Sequence, residues 1–399
     1  MNESVQYIYW IEHGAALGYL IAWYLWLISL AEGTHIVAHL SWLYYRTEDY
    51  RPLEKVGTFQ PFIILALVPL FLVVDLAHPE RFYTMFYRWH WTSPVAYGVY
   101  IITLCMISYA IHAYYLFRPE LMYRASREGP LQGIYRAVVF NRIESGDVRE
   151  IRKRQEGRER FWAGVSLFFS FMGLIYLGIL LSSFKGRVMW HSSVMVFIFF
   201  SLGACSGSAF LILLTHLKNA LAHTSAKALA EQRRYLAEFG IILKYSLVAQ
   251  AGVFFIYFVL LQYTGIGGRL ASEVFFSGPR AFQFWFFQVA VGLILPFALM
   301  LFRKMRENVV VSSIASIAAM LGTLYGCVNI FIGGQLLPMT HFRWEHLESE
   351  PGKMAFGFIT MAVMFVLFLV TYKILPYENI GSQEEASLVT HNILPSENI

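Results

Sequence analysis

The fold is decided by the stretch Phe62-Ile-Ile-Leu-Ala-Leu-Val-Pro-Leu-Phe-Leu-Val-Val-Asp75-Leu-Ala-His78-Pro79-Glu-Arg81-Phe82, in which an apolar run leads directly into four ionisable residues. A bilayer is crossed by a helix of about 20 mostly apolar residues. Because hydrocarbon strongly disfavours ionisable groups, those that occur at the end of such a helix usually serve a function. The stretch therefore predicts a membrane helix with a functional site at one membrane surface.

The whole chain has the composition of a polytopic membrane protein. Of its 399 residues 57% are hydrophobic and only 14% are charged, and the mean hydropathy is +0.52. Soluble domains carry about 25% charged residues. The sequence thus predicts an all-α polytopic protein with about nine transmembrane helices, at residues 14–38, 57–77, 94–117, 161–183, 190–217, 239–264, 281–302, 308–334 and 354–375.

Basic residues orient these helices. Lys and Arg concentrate in the loops after odd-numbered helices, above all in 118–160, and residues 1–12 contain none. The positive-inside rule places the N-terminus outside and the C-terminus in the cytoplasm, in the cytoplasmic (inner) membrane of a prokaryote. No cleavable signal is recognisable, so the first helix is expected to be retained. Loop 118–160 also holds many acids, which favours a solvated, partly helical loop against lipid headgroups over a nucleic-acid interface, and we expect no nucleic acid as a partner.

The cysteines argue against bound metal. Cys105, Cys205 and Cys327 lie far apart in three apolar segments, without the paired spacing of iron–sulfur or zinc sites. We therefore expect no iron–sulfur or zinc site in this chain, and any electrons that it handles must come from a partner.

The predicted topology brings several ionisable residues to the outer face: His13 at the start of the first helix, and Asp75, His78 and Arg81 at the end of the second. Asp75 follows an apolar run, so its carboxylate needs a partner, and Arg81 is the nearest cation in sequence. Two interpretations stay open: an ion pair that holds the helix end, or a proton acceptor beside a bound redox molecule.

A second group lies in the first helix near its cytoplasmic end. Glu32 and His35 are three residues apart and His35 and His39 four, so the three share one helix face. A series of titratable groups can pass protons, and we predict a proton path here. The alternative is that Glu32 and His35 simply satisfy each other inside the bundle.

Three motifs resemble one family. Asp75-Leu-Ala-His-Pro-Glu-Arg81-Phe82 resembles the Asp-Leu-Gly-Arg-Pro-x-Arg-Phe signature of the NrfD/polysulfide reductase membrane subunits, with His78 in place of an arginine. Thr92-Ser-Pro-Val-Ala-Tyr-Gly98 resembles that family's Ser-Pro-Met-Ser-Trp-Gly entry to the third helix. The small residues 203–209 are similar to its fifth helix.

The resemblance implies a function. Members are quinone-binding membrane anchors (menaquinone or ubiquinone) of multi-subunit oxidoreductases, without a metal or haem of their own. They pair with a ferredoxin-like iron–sulfur subunit and further redox subunits, here expected on the outer face. The residues implicated in quinone binding and proton exchange correspond to His13, with Glu12 beside it, and Asp75.

The resemblance also implies a fold of two pseudo-symmetric four-helix bundles. In this chain they are expected at 1–183 and 184–338, followed by an outer loop and extra ninth helix at 339–376 and a polar cytoplasmic tail at 377–399.

Two other classes remain. A haem b subunit needs facing histidines, and His35, His39, His112 and His216 lie near predicted helices. A secondary transporter often has broken helices at mid-membrane, which Pro69 and Pro296 could mark.

Overall fold

The computed structural model describes residues 18–45, 50–75, 78–88, 90, 92–127, 129–142, 148–221, 226–336 and 351–377, with the backbone alone at 45 and 226–232. Within these ranges all regular structure is helical, and nine helices are long and apolar enough to cross a membrane. The predicted class, an all-α multi-pass membrane protein, is confirmed. The helices are α1 Tyr19–Tyr45, α2 Arg51–Asp75, α3 Pro94–Ser126, α4 Val148–Ser182, α5 Val194–Leu221, α6 Ala226–Tyr263, α7 Gln283–Met300, α8 Val309–Gly333 and α9 Pro351–Ile374.

Each helix lies where an apolar segment predicted it, but several are longer. Helices α3, α4 and α6 continue well past their apolar cores into polar sequence. Helix α2 stays helical through Pro69, and α7 is π-helical over Gln283–Ile294 before it becomes α-helical at Leu295–Met300. Short helices lie between them at Pro79–Phe86 (3₁₀), Gln132–Val138, Ile266–Phe276 and Arg303–Glu307.

Local sequence explains where two of these helices begin. The Asn308 side chain accepts hydrogen bonds from the backbone amides of Val310 and Val311, which would otherwise be unsatisfied at the start of α8. Pro94 occupies the first turn of α3, where its missing N–H costs no hydrogen bond.

The helices pack in two groups of four. Helices α1 to α4 contact one another in a ring, and so do α5 to α8. Helix α1 also packs on α5, α8 and α9, and 89% of its apolar window is buried, compared with 22% for α9. An apolar helix that is covered on all sides is a central one, so α1 is the axis on which both groups meet.

Small residues bring α1 and α5 into backbone contact. A Cβ at Gly33 would overlap the backbone of Gly203, and a Cβ at Gly207 would overlap the Gly33–Thr34 peptide. Close packing through small residues is a common way for membrane helices to associate. The stretch 203–209 therefore serves helix packing.

The two ends of the protein differ. We call the end that carries the loops after odd-numbered helices the basic end, and the end that carries Pro79–Phe86 the motif end. Helix α9 lies on α1 and α2, where Gly357 packs on Trp23 and Phe356 on Phe71. Its C-terminal extension returns to the basic end, where Lys55 donates a hydrogen bond to the Pro376 carbonyl at 2.9 Å.

The flanks of segment 118–160 are helical, as the predicted partly helical loop allows, but the prediction that they are solvated is wrong for several charged residues. Residues 118–126 and 148–160 are the ends of α3 and α4, and Glu120, Arg152 and Glu159 are buried there. The buried ions pair across helices, Glu120 with Lys55 and Arg152 and Glu159 with Arg51, whereas other charged residues of the segment, such as Arg149 and Lys153, remain exposed.

Candidate functional site

Asp75, the acid of the second-helix motif, is the last residue of α2. Its carboxylate is 3.4 Å from the ammonium of Lys353 at the start of α9, and 15% of its side chain is exposed. The Asp75–Arg81 ion pair, one of the two interpretations left open by the sequence, is not formed. Lys353 is a better partner because α9 packs beside α2 and brings in a cation that lies 278 residues away in sequence.

His78 and Arg81 point to a different acid. The His78 Nδ1 atom is 3.1 Å from the Glu80 carboxylate, and the Arg81 Nε atom is 3.9 Å from it. All three side chains are more than 60% exposed. Such exposed ion pairs contribute little to stability. Because their side chains are exposed, His78 and Arg81 form part of an accessible polar surface beside Asp75. Glu12 and His13 lie outside the described residues.

An apolar cavity of about 470 Å³ lies between α1, α2, α3 and the Pro79–Phe86 helix. It begins one turn before Asp75, at Leu72 and Val73, and includes Phe82 of the motif. Its walls are almost entirely aliphatic and aromatic, and it is open on one side. The lining residues are Tyr24, Phe62, Pro69, Leu72, Val73, Phe82, Met85, Phe86, Val95, Val99, Ile102, Thr103, Met106, Ile107 and Ala110.

A pair of phenols supplies the polar end of this cavity. Tyr24 lines it from α1, and its phenol lies close to that of Tyr176 on α4. The Tyr176 hydroxyl reaches this place because residue 98 is glycine: a Cβ there would overlap it. The glycine of the Thr92–Gly98 motif therefore has a physical role, which is to admit a phenol next to the cavity wall.

A buried polar cluster occupies the first four-helix group toward the basic end. Tyr109 of α3 donates a short hydrogen bond to Glu32, and its oxygen is 2.6 Å from the Ser170 hydroxyl of α4. Gly173 makes room for the Glu32 carboxyl group, since a Cβ there would lie 2.7 Å from its Oε1 atom. Glu32 is fully buried and thus held by three helices.

The predicted proton-path residues do come together in this cluster. The His35 ring stacks on Tyr109 with centroids 4.1 Å apart and on His39 at 3.9 Å. His35 hydrogen-bonds to the Gly57 carbonyl (3.2 Å) and the Ser166 hydroxyl (2.9 Å). Glu32 and His35 therefore have separate partners, and do not satisfy each other as the alternative interpretation required.

His112 completes the cluster. It packs against His39 with ring centroids 4.8 Å apart, and its Nδ1 atom is 3.3 Å from the Ser166 hydroxyl. Imidazoles in direct contact leave no gap for a haem plane between them. The described structure thus offers these histidines no haem geometry.

Three ion pairs close the cluster at the basic end. Lys55 of α2 lies 3.0 Å from Glu120 of α3, whose carboxylate also accepts a short bond from Arg152 of α4. Arg51 pairs with Glu159 at 2.9 Å. Lys55 and Glu120 are completely buried, and a buried charge is tolerated only when it is paired.

Sequence reasoning missed Tyr24, Tyr109 and most of these ions, and it considered His112 only as a candidate haem ligand. One available signal was helical spacing: Tyr109 and His112 lie three residues apart on α3, and Ser166 and Ser170 four residues apart on α4. Polar residues on one face of an apolar helix point to a polar bundle interior. The ion pairs had no such signal, because their partners lie on different helices.

The second four-helix group has a smaller polar network. Arg280 donates to the Asn329 side-chain oxygen from Nε (3.2 Å) and Nη2 (2.9 Å), and Asn329 donates to Gln288 at 2.8 Å. Burial lowers the pKa of the Arg280 guanidinium, and Tyr19 opposes that effect. Asn329 is thus an interhelical hydrogen-bond partner, as expected for a polar residue within a membrane helix.

The fold and the motifs define a class: a multi-pass helical membrane protein with a buried polar interior and a short signature at one membrane surface. The model of the family described as polysulphide reductase, NrfD, matches residues 12–339. The chain belongs to this family.

Curated relatives agree with that assignment. The chain is similar to a subunit of the selenate reductase of Mesobacillus selenatarsenatis, with 21% identity over 379 residues that cover 91% of this chain and 86% of the relative. It is also similar to the NrfD homolog of Haemophilus influenzae, with 22% identity over 333 residues, 80% of this chain and 94% of the relative.

Proposed function

We propose that this protein is the membrane subunit of an oxidoreductase complex. It binds a quinone or quinol (menaquinone or ubiquinone) in the apolar cavity beside Asp75. It exchanges electrons with a ferredoxin-like iron–sulfur subunit docked on the motif end, and further redox subunits lie beyond that partner. Membership of the NrfD family and similarity to a subunit of a selenate reductase support this proposal.

The cavity is the observation that carries the quinone assignment. Quinones join a long apolar tail to a flat ring with two carbonyl acceptors. The open apolar wall suits the tail, and the Tyr24–Tyr176 phenol pair supplies hydrogen-bond donors for a carbonyl. Ligand sites commonly combine apolar walls with a few such polar groups.

The electrons need a partner subunit. The three cysteines are buried as free thiols in three different helices, and iron–sulfur clusters are held by grouped cysteines. A quinone ring bound in the cavity would lie near the motif end, where the exposed side chains of His78, Glu80 and Arg81 offer a polar surface for docking. Because basic loops face the cytoplasm, we place this surface and the partner outside, with the C-terminus inside.

Protons accompany the electrons, since reducing a quinone to a quinol takes up two of each. We assign proton exchange to Asp75, with His13 and Glu12 as further candidates. The chain Glu32, Tyr109, His35, His39 is our candidate path toward the basic end, because these side chains lie in direct contact within the bundle. Turnover with such a path would transfer charge across the membrane.

The cavity is tested by filling it. Val99→Trp adds a large ring to the wall, and Leu104→Trp adds the same ring to an exposed site of the same helix outside the cavity. Overpacking costs about 1–3 kcal/mol, so the KM for quinone should rise roughly tenfold or more with Val99→Trp. Electron transfer from the partner to an artificial dye should not change. Equal quinone kinetics in the two variants would refute the site.

The phenol is tested by a smaller change. Tyr24→Phe removes one hydrogen bond worth about 0.5–1.5 kcal/mol, so quinone affinity should fall roughly two- to tenfold. Tyr263→Phe, at an exposed tyrosine of α6, is the matched control. Quinone affinity that is the same in both variants would exclude Tyr24 as a ligand.

The role of Asp75 is separated from its ion pair by two variants. Asp75→Asn and Lys353→Met both abolish the ion pair, but only the first removes the carboxylate. If Asp75 exchanges protons, quinone-linked turnover of the assembled complex falls with Asp75→Asn and is largely kept with Lys353→Met. Equal losses would show that only the ion pair matters.

The proton path is tested in proteoliposomes. Glu32→Gln should lower the number of protons translocated per turnover, while the exposed Glu156→Gln should not. If the two variants translocate equally, Glu32 has no part in the path, and the quinone site is unaffected by that result.

A further inference from the structure

Three histidines meet inside the first four-helix group. His35 and His39 come from α1 and His112 from α3, and all three are buried. One ring nitrogen of each lies within 4.8 Å of one from each of the others. Imidazole nitrogen is the commonest protein ligand for transition metals, so three converging imidazoles need an explanation.

The hydrogen bonds orient the rings in one particular way. His35 Nδ1 faces the Gly57 carbonyl at 3.2 Å, and His39 Nδ1 faces the His35 carbonyl at 2.9 Å. A carbonyl only accepts, so both Nδ1 atoms are protonated and both Nε2 atoms carry a lone pair. Metal-binding histidines are usually held in this manner, with the second ring nitrogen bonded to a carbonyl or another oxygen.

Two of the Nε2 atoms have no hydrogen-bond partner among the described residues. The Nε2 atoms of His39 and His112 are fully buried and make no hydrogen bond to the described part of the chain. The Nε2 atom of His35 contacts the Ser166 hydroxyl, which can also donate to the Ala163 carbonyl at 3.0 Å. The Ser166 contact is thus exchangeable, and all three imidazoles can turn a lone pair to one ligand.

A carboxylate and a cavity complete the surroundings. Glu54 Oε1 lies 4.0 Å from His112 Nε2 and supplies negative charge against a bound cation. The positive charge of the nearby Arg51 disfavours a bound cation, but Arg51 is itself paired with the Glu159 carboxylate. A cavity of about 150 Å³, lined by His39, Trp42, Arg160 and Gly164 among others, reaches the cluster from the basic end and gives an ion an entry route.

We propose that His35, His39 and His112 form a binding site for one divalent transition-metal ion of the zinc class. Glu54 or a water molecule from the cavity would be the fourth ligand. Zinc takes four ligands in tetrahedral geometry at about 2.0–2.1 Å from histidine nitrogen, so the rings must close in by about 1.5 Å. The proposal requires side-chain rotations of His39 and His112 to provide that movement.

His35 and His39 also belong to the proposed proton path, but the zinc site is tested independently of it, because binding is measured without turnover. The purified complex is stripped with a chelator, titrated with Zn²⁺, separated from free metal, and analysed for zinc per chain. We expect one zinc more in the wild type than in His39→Gln or in His112→Gln. The control is His216→Gln, which removes a partly buried histidine of α5 outside the cluster and bonded to Ser312; it should keep the wild-type count.

Zinc X-ray absorption on the wild-type complex gives a second, independent result. The expected spectrum has three imidazole nitrogens at about 2.0–2.1 Å with a light-atom fourth ligand. This spectrum tests the proposed ligands even if the histidine variants fail to assemble, because it is recorded on the wild-type complex. Equal zinc content in wild type and His112→Gln, or a spectrum without three imidazoles, would overturn the proposal.

Discussion

Replacing Glu120 by Gln should destabilise the protein more than almost any other change of a single charge. The Glu120 carboxylate, on α3, accepts hydrogen bonds from Lys55 of α2 and Arg152 of α4, and neither it nor Lys55 is exposed at all. Gln keeps the shape but removes the charge that the two cations share. Because Lys55 also donates to the Pro376 carbonyl, the change reaches the end of α9.

The size of the effect follows from burial. Removing one partner of a buried ion pair costs about 3–5 kcal/mol, because the other charge stays in a low-dielectric interior. Exposed pairs contribute about 0.2–1 kcal/mol. Glu156, whose pair with Arg160 is roughly half exposed on the same helix as Arg152, is therefore the matched control, and Glu156→Gln should cost less than about 1 kcal/mol.

The assay is equilibrium unfolding in mixed micelles, with tryptophan fluorescence as the signal. A double variant, Lys55→Met with Glu120→Gln, tests the role of the buried charge directly, because removing both charges of a buried pair costs less stability than removing one. We expect the double variant to be more stable than Glu120→Gln alone. A loss below about 1 kcal/mol for Glu120→Gln, or additive losses in the double variant, would contradict the reasoning.

Three further predictions concern packing and capping. Gly98→Val should push the Tyr176 hydroxyl away from the cavity. It should lower the free energy of unfolding by about 1–3 kcal/mol and also weaken quinone binding. Gly207→Leu should prevent the close approach of α1 and α5 and abolish the folded protein on gel filtration, whereas Gly252→Leu, which meets nothing within 4 Å, should be tolerated. Asn308→Ala should lower stability by about 0.5–2 kcal/mol through the lost cap of α8, and unchanged unfolding would refute that.

Sequence alone determined the number and position of the membrane helices. Runs of about 20 apolar residues have few alternatives in a bilayer, because every backbone polar group must be satisfied within the segment. Helical spacing selected Glu32, His35 and His39 from one helix, and the structure brings these three together in the bundle. Their placement together was predictable because spacing along a single helix is enough to fix a shared face, whereas the proton path itself stays a prediction.

Tertiary structure alone decided which charges meet. Asp75 pairs with Lys353 on α9 and not with Arg81 six residues away. Glu120, which sequence reasoning placed in a solvated loop, is buried between Lys55 and Arg152. The reason is physical: the strength of an ion pair depends on distance and burial, and both are set by how helices pack, not by separation along the chain.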